Sequence, residues 1–201
     1  MMKKIAILFI FFTLLNENSI AQRWPFELWH EGKIVLESGD TLRGNVKYDL
    51  SQDLLQYTST NKMAEAYTAR KVVFFEIFDQ TVRKYRQFFS LPYSVNNTYK
   101  TPTFFELLAE GKITLLCREA IEFRTYNNPY FVGSYSQQVL VNYYFLLDEK
   151  GNINAFSGRK NDLLNLMQRR KEEVEKFMKA NKLNLEEKYD FARIVEYYNT
   201  L

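Results

Sequence analysis

Between Gly32 and about Phe156 the apolar positions recur with a period near two and are broken by short turn-forming clusters, the signature of half-buried strands. Residues 33–37 and 41–48 flank Ser38-Gly39-Asp40. In the second run Leu42, Val46 and Tyr48 fall on one face, with Arg43, Asn45 and Lys47 on the other. That pattern predicts a hairpin. Leu54–Thr58 reads as a third strand, and 120–124 as another short one. Three further hairpins are predicted: 69–78 with 81–89 around Asp79-Gln80, 104–108 with 112–118 around Ala109-Glu110-Gly111, and 139–147 with Ile153–Phe156 around 148–152. Residues 72–75 and 143–147 are apolar at both parities, which predicts cover on both faces.

After Gly158 the period changes to about 3.6. Leu163, Leu166, Met167, Val174, Phe177 and Met178 recur near i, i+3, i+4, and Gln168-Arg169-Arg170 interrupts the stripe. A further helix is predicted from Leu185, with Asn184 as its N-cap and Glu187 completing a capping box. Leu185, Tyr189, Ala192, Val195 and Tyr198 share one face of it. Such amphipathic helices pack on their own core. The pattern therefore predicts an α+β fold. An antiparallel, β-rich body over 22–157, built as a sandwich, a rolled sheet or a partly open barrel, carries two or three C-terminal helices over 158–201 that pack on it as one domain. Two segments read as loops: 90–103, with Pro92, Asn96, Asn97 and Pro102, and 125–138, with Tyr126, Asn127, Asn128, Pro129, Tyr130, Phe131 and Tyr135.

The first 21 residues follow a different rule. Lys3 and Lys4 precede an apolar run over 5–15, Asn16-Glu17-Asn18 ends it, and Ser19-Ile20-Ala21 places small residues where a signal peptidase reads. The run is too short to span a bilayer, where about 20 residues are needed, so 1–21 is a secretory leader cleaved before Gln22. No cysteine stands at that point to take a lipid anchor, and no later segment is long and apolar enough to cross a membrane. The expectation is an exported protein, in a periplasm or outside the cell, that is not a lipoprotein.

Charge and composition narrow the function. The 201 residues carry a formal net charge of +3, and removing Lys3, Lys4 and Glu17 with the leader lowers it by one. So small an excess argues against a nucleic-acid partner. One cysteine and one histidine cannot form an internal disulfide or a zinc finger. No cofactor is expected. His30-Glu31 opens like a metalloprotease His-Glu-x-x-His, but Ile34 fills the fifth position. Gly39 and Gly44 have phosphate-loop spacing, but Asn45-Val46 replace the needed Lys-Ser/Thr. Residues 148–152 put Gly151 at position four rather than six of a calcium loop. Cys117 lies in an apolar strand-like run and reads as a buried small hydrophobe.

Three kinds of candidate chemistry remain. Glu76, Asp79, Glu106, Glu110 and Glu119 could supply a carboxylate pair for hydrolysis. Arg83, Lys84 and Arg86 beside Tyr85 form a basic run, which reads as a cationic edge strand that resists edge pairing. Aromatics reach 16% of the chain. Tyr126, Tyr130, Phe131 and Tyr135 are the candidate ligand-binding platform, since tyrosine offers rigid amphipathic area at low entropic cost. No residue is assigned a catalytic or metal-binding role.

The leader ending Ala21-Gln22, Gly39-Asp-Thr-Leu-Arg-Gly44, Phe104-Phe-Glu-x-Leu108 leading to Gly111-Lys-Ile113, and the tail from Asp162-Leu-Leu164 to Tyr197-Tyr-Asn199 together resemble uncharacterised secreted proteins of the Bacteroidota. The resemblance implies export and a single domain, and carries no activity. The expected function is a non-catalytic envelope protein acting as an interaction or scaffold module. The alternatives are a binding protein for a small apolar or glycan ligand, and a carboxylate-dependent hydrolase. Partners would be an envelope protein, a lipid or a glycan.

Overall fold

Alternation of apolar and polar side chains drives the strands, and the turn clusters set where they reverse. A computed structural model describes residues 24–59, 63–94, 99–127 and 133–201; the leader at 1–21 lies outside the described residues. The first hairpin is β1 (His30–Leu36) and β2 (Thr41–Asp49), followed by β3 (Leu54–Thr58) and a short β4 (Glu65–Thr68). Then come β5 (Val72–Asp79), β6 (Lys84–Tyr93), β7 (Thr101–Ala109), β8 (Thr114–Asn127), β9 (Ser134–Leu147) and β10 (Ile153–Phe156). The helices are α1 (Lys160–Leu166), α2 (Lys171–Ala180) and α3 (Lys188–Thr200). All ten strands form one open antiparallel sheet in the order β10-β9-β8-β7-β6-β5-β1-β2-β3-β4. The architecture is the expected α+β fold with a β-rich body and helices at the C-terminal end.

The sheet is rolled. On β2, the Tyr48 ring stands 5.5 Å from Phe75 on β5, 5.6 Å from Phe88 on β6 and 5.6 Å from Phe104 on β7. Strands β2 and β7 are four places apart, roughly 19 Å across a flat sheet at about 4.8 Å per strand. Ring contact over that span requires the sheet to curl onto its own face. The inside of the curl holds Ile34, Val46, Leu55, Val72, Phe75 and Phe104, all essentially inaccessible. Ser90 Oγ donates to the Ala69 carbonyl at 2.6 Å, and Arg118 reaches Asp53 at 3.3 Å, holding the rolled edge near β6 and β8. A bulge at Val73, opposite β1, turns both Val72 and Phe75 inward and leaves Val73 exposed.

The helices cover the same face farther along. Leu163, Leu164, Met167, Val174, Phe191, Ile194 and Val195 pack on Leu115, Cys117 and Tyr144. The expected interruption is real: Gln168–Arg170 is a turn of 3-10 helix between α1 and α2. On the opposite face Phe105, Leu116 and Phe145 gather with Tyr93 in edge-to-face contacts of 5.1–5.4 Å. That explains why 143–147 is apolar at both parities, whereas at 72–75 the expected cover on both faces is not found, because the bulge turns Val72 and Phe75 inward and leaves Val73 exposed. Asn199, near the end of α3, clamps the β7–β8 turn. Its Oδ1 accepts from the Ile113 N–H at 2.9 Å, and its Nδ2 donates to the Ile113 carbonyl at 2.9 Å.

Several expectations change. The loop at 90–103 is strand at both ends: β6 and β7 stay paired through Pro92 opposite Pro102 to Tyr93 opposite Thr101, where no other strand pairs with either and prolines are tolerated. The loop at 125–138 is also strand at both ends, for β8 and β9 are each 14 residues long and absorb 120–124 as well. The last helix begins at Lys188, with Glu187 at the N-cap and no side-chain cap. Asn184 instead accepts from the Glu186 N–H at 3.1 Å in the preceding turn. The basic run opens β6, which lies mid-sheet between β5 and β7, but Lys84–Gln87 pairs with β5 alone, so the run sits on a local edge of an interior strand.

Candidate functional site

Between the rolled core and the helical core lies a cluster of charge. On β5 to β8, Asp79, Arg86, Glu106 and Glu119 all point to the covered face, and Lys188 enters from the first turn of α3. The Arg86 Nε and one terminal nitrogen donate to the two Glu106 oxygens at 2.9 and 2.7 Å. The same guanidinium reaches Asp79 at 3.1 Å and Glu119 at 2.8 Å. Lys188 Nζ donates to Glu106 at 2.8 Å and to Glu119 at 2.6 Å. Each of the five side chains is 8% exposed or less. A cation in the first turn of a helix opposes the helix dipole, and the two glutamates reverse that effect.

The electrostatics follow from the pairing. Burial pushes the Asp79 carboxyl up, but hydrogen bonds from Thr81 and Arg86 outweigh it and hold the group below the ordinary carboxylate range. Burial likewise opposes ionisation of Glu119, and the charges of Arg86 and Lys188 overcome it. Burial alone would discharge Lys188, whereas Glu106 and Glu119 hold its ammonium protonated well above its usual range. Three of the five candidate hydrolytic carboxylates are thus brought together, but each is engaged by a cation and shielded from solvent. Glu76 is held apart by Lys33 at 3.1 Å and Gln87 at 2.7 Å, and Glu110 lies in the exposed β7–β8 turn. The cluster therefore acts as a tie between sheet and helix. Lys188 carries no role in the sequence reading, and Arg86 enters it only as a member of the basic run at 83–86. The available signal was parity: Arg86 shares its strand face with Phe88, Glu106 with Phe104, and Glu119 with Cys117.

The single histidine and the single cysteine each have a different neighbour. His30 Nε2 donates to the Pro25 carbonyl at 2.7 Å, which leaves Nδ1 bare and buried. Cys117 is fully buried, burial pushes its thiol up, and its sulfur contacts Asn142 Oδ1 at 3.7 Å. Asp148 accepts from the Lys150 and Asn152 N–H groups at 2.9 and 2.8 Å, an ordinary β9–β10 turn. Among the described residues no group of three or more His, Cys, Asp or Glu could hold a metal ion, and no helix is long and apolar enough to cross a membrane.

The exposed features lie at the other end of β8 and β9. Strand β7 pairs with β8 only at Leu115, Leu116 and Cys117, and β10 pairs with β9 only from Tyr144 to Leu147. From Arg118 opposite Tyr143 out to Asn127 opposite Ser134, the two strands pair with each other alone. Ten residue pairs make an arm of roughly 33 Å at about 3.3 Å per residue. It exposes Phe123 (72%), Tyr126 (39%), Tyr135 (54%) and Tyr143 (48%). Tyr126 and Tyr135 face each other across the strands and stack at 5.6 Å. Tyr130 and Phe131, the other two platform candidates, lie outside the described residues.

At the base of the arm a groove of about 1410 Å³ opens between β9 and the helices. Leu140, Tyr144, Phe156, Met178, Leu183 and Leu185 are its apolar lining, and the Tyr144 hydroxyl is buried there without a hydrogen-bond partner among the described residues. Arg124, Arg159, Lys160, Lys179 and Lys182 also line it, against the single carboxylate Glu186. Comparison of the chain with protein-family models, curated proteins and solved structures gives no match.

Proposed function

We propose that this chain is an exported, non-catalytic interaction module whose working surface is the β8–β9 arm. One observation carries the reading: a two-stranded ribbon that neither neighbouring strand extends, with exposed aromatics along it. An isolated ribbon is marginally stable in water, and exposed aromatic area is the material of protein interfaces. The buried carboxylates support the non-catalytic part, because none combines an open approach with a free ionisable partner. The leader pattern of 1–21 supports export, and the mass of the protein recovered from the envelope would reveal cleavage after Ala21.

The test is photo-cross-linking in cells from position 126, with Phe123→Ser/Tyr135→Ser as the comparison. The expected result is a discrete cross-linked partner that disappears in the variant while the melting temperature holds, since exposed substitutions usually change stability by about 0.5 kcal/mol or less. An unchanged cross-linking pattern would sink the reading. So would turnover of a substrate by the purified chain, abolished by Glu106→Gln in a variant that still folds.

A second reading, a small apolar or glycan ligand, draws on the groove volume, which exceeds the roughly 300–1,000 Å³ of ordinary ligand pockets. Native mass spectrometry of protein purified without detergent tests it: a reproducible adduct supports a ligand, and a bare mass removes it.

A further inference from the structure

We infer that the free edge of β9 at the base of the arm is a docking strand for an extended, acidic segment of another protein, which adds to the sheet beneath the basic rim of the groove. The inference rests on the interaction-module reading and names its partner's chemistry.

The backbone supplies the first half. Strand β10 stops pairing at Phe156 opposite Tyr144. The chain then turns away at Gly158, whose φ of +71° glycine adopts without penalty, and enters α1. Beyond Tyr144, β9 runs on to Ser134 with β8 on one side and no strand on the other among the described residues. Such an edge presents unpaired N–H and C=O groups to any extended chain. Native sheets blunt exposed edges with proline or by shortening them, but this segment is ten residues long and contains no proline.

The side chains supply the second half. Leu140 and Asn142, alternate residues of this free edge, line the groove, so an added strand would bury alternate side chains in it. Five cations face one carboxylate around it. Arg124 lies 3.8 Å from Glu122, and Lys160 and Lys179 lie 2.7 and 4.0 Å from Glu175. Arg159 and Lys182 form no ion pair among the described residues, which leaves two charges for a partner. Lys182 occupies a left-handed position (φ +54°) after α2, where helices usually carry glycine. A lysine kept at such a position is an observed strain beside the groove. Charge also decides between occupants. A second copy would bring its own basic rim against this one, whereas an acidic strand is complementary.

Three fluorescent ten-residue peptides test the inference on the purified chain: alternating Glu and Val, alternating Glu and Pro, and alternating Lys and Val. The Glu–Pro peptide keeps the charge but cannot pair as a strand. Expected is binding of Glu–Val at least about tenfold tighter than either control, weakened by salt. Arg159→Glu/Lys182→Glu should lower it by about tenfold or more, and slowed amide exchange should be confined to 134–143. Equal binding of Glu–Pro reduces the effect to charge alone and overturns strand addition. Unchanged affinity in the double variant, equal binding of Lys–Val, or capture of oleate in place of Glu–Val overturns the acidic-strand assignment. No peptide binding, with cross-linking from the arm still lost in Phe123→Ser/Tyr135→Ser, removes this inference and leaves the module reading standing. Peptide binding with unaltered cross-links supports this inference and removes only the exposed aromatics of the arm as the working surface.

Discussion

Arg86 holds three carboxylates at once, so its loss leaves Asp79 with no ion pair among the described residues and Glu106 and Glu119 sharing Lys188 alone. Breaking a buried pair by removing one partner costs about 3–5 kcal/mol, because the partner keeps its desolvation penalty. Arg86→Met should therefore lower the unfolding free energy by about that amount at neutral pH, read from urea denaturation. Lys188→Met should cost less, since Arg86 still serves Glu106 and Glu119. Lys182 runs the other way. A left-handed L-residue costs roughly 1–2 kcal/mol, part of which glycine returns as chain entropy. Lys182→Gly should stabilise the chain by about 0.5–1 kcal/mol in the same assay, and a loss of stability would show that the ammonium itself holds the turn. The charged cluster was partly legible in the sequence. Asp79, Glu106 and Glu119 could be named as candidates, but not their partners, because Arg86 was grouped with Arg83, Lys84 and Tyr85. Strand parity separates them: Arg86 turns inward, while Tyr85 on the other parity is 70% exposed. Lys188 sits one turn before Phe191 and Ala192, on the buried helix face.

At the scale of elements, hairpins bounded by Gly- or Asp-containing turns were readable from alternation alone. The strands β3 and β10 fall where the pattern puts them. Two kinds of strand escaped it. The short β4 is an edge strand with little buried surface, so no alternation marks it. The outer halves of β8 and β9 are exposed or half-buried on both faces, since no layer covers the arm. Without a dry side, Thr125, Tyr126, Ser136 and Gln137 carry no period-two signal, and Asn127 with Pro129 marks the reversal only. Strand order was beyond reach, because the pairing of β1 with β5 across three intervening strands is long-range. The same lack of cover predicts the arm's dynamics. Local opening is cheapest where backbone hydrogen bonds are solvated and few apolar contacts hold them. Amides over 120–127 and 134–141 should exchange faster than those over 114–117 and 144–147, measured by hydrogen-exchange mass spectrometry. The Tyr126–Tyr135 stack, worth about 0.5–1.5 kcal/mol in such pairs, should slow its own neighbourhood, and Tyr135→Ser should remove that local protection. Uniform slow exchange along both strands would mean that the arm is covered in solution.

Across the whole molecule, one polar cluster joins two apolar cores, the interior of the roll and the layer beneath the helices. Stability should therefore follow its charges. Asp79 and Glu119 have folded-state values below those of the unfolded chain. Their contribution is complete above the ordinary carboxylate range of about 4 and is lost as pH falls through the depressed folded values. Lys188 is raised, so its contribution is complete below the ordinary lysine value of about 10.4 and is lost as pH rises through the folded one. The unfolding free energy should form a plateau between these limits with a flank on each side. The acid flank separates charge from packing. In Arg86→Met the buried carboxylates lose their main cation, so protonation relieves the folded state rather than weakening it. The gap between the parent chain and this variant should be widest near neutrality and should shrink below about pH 4, measured by urea titration at each pH. A gap that stayed constant across that range would assign the loss to packing of the Arg86 side chain, and the cluster would then join the two cores by shape rather than by charge.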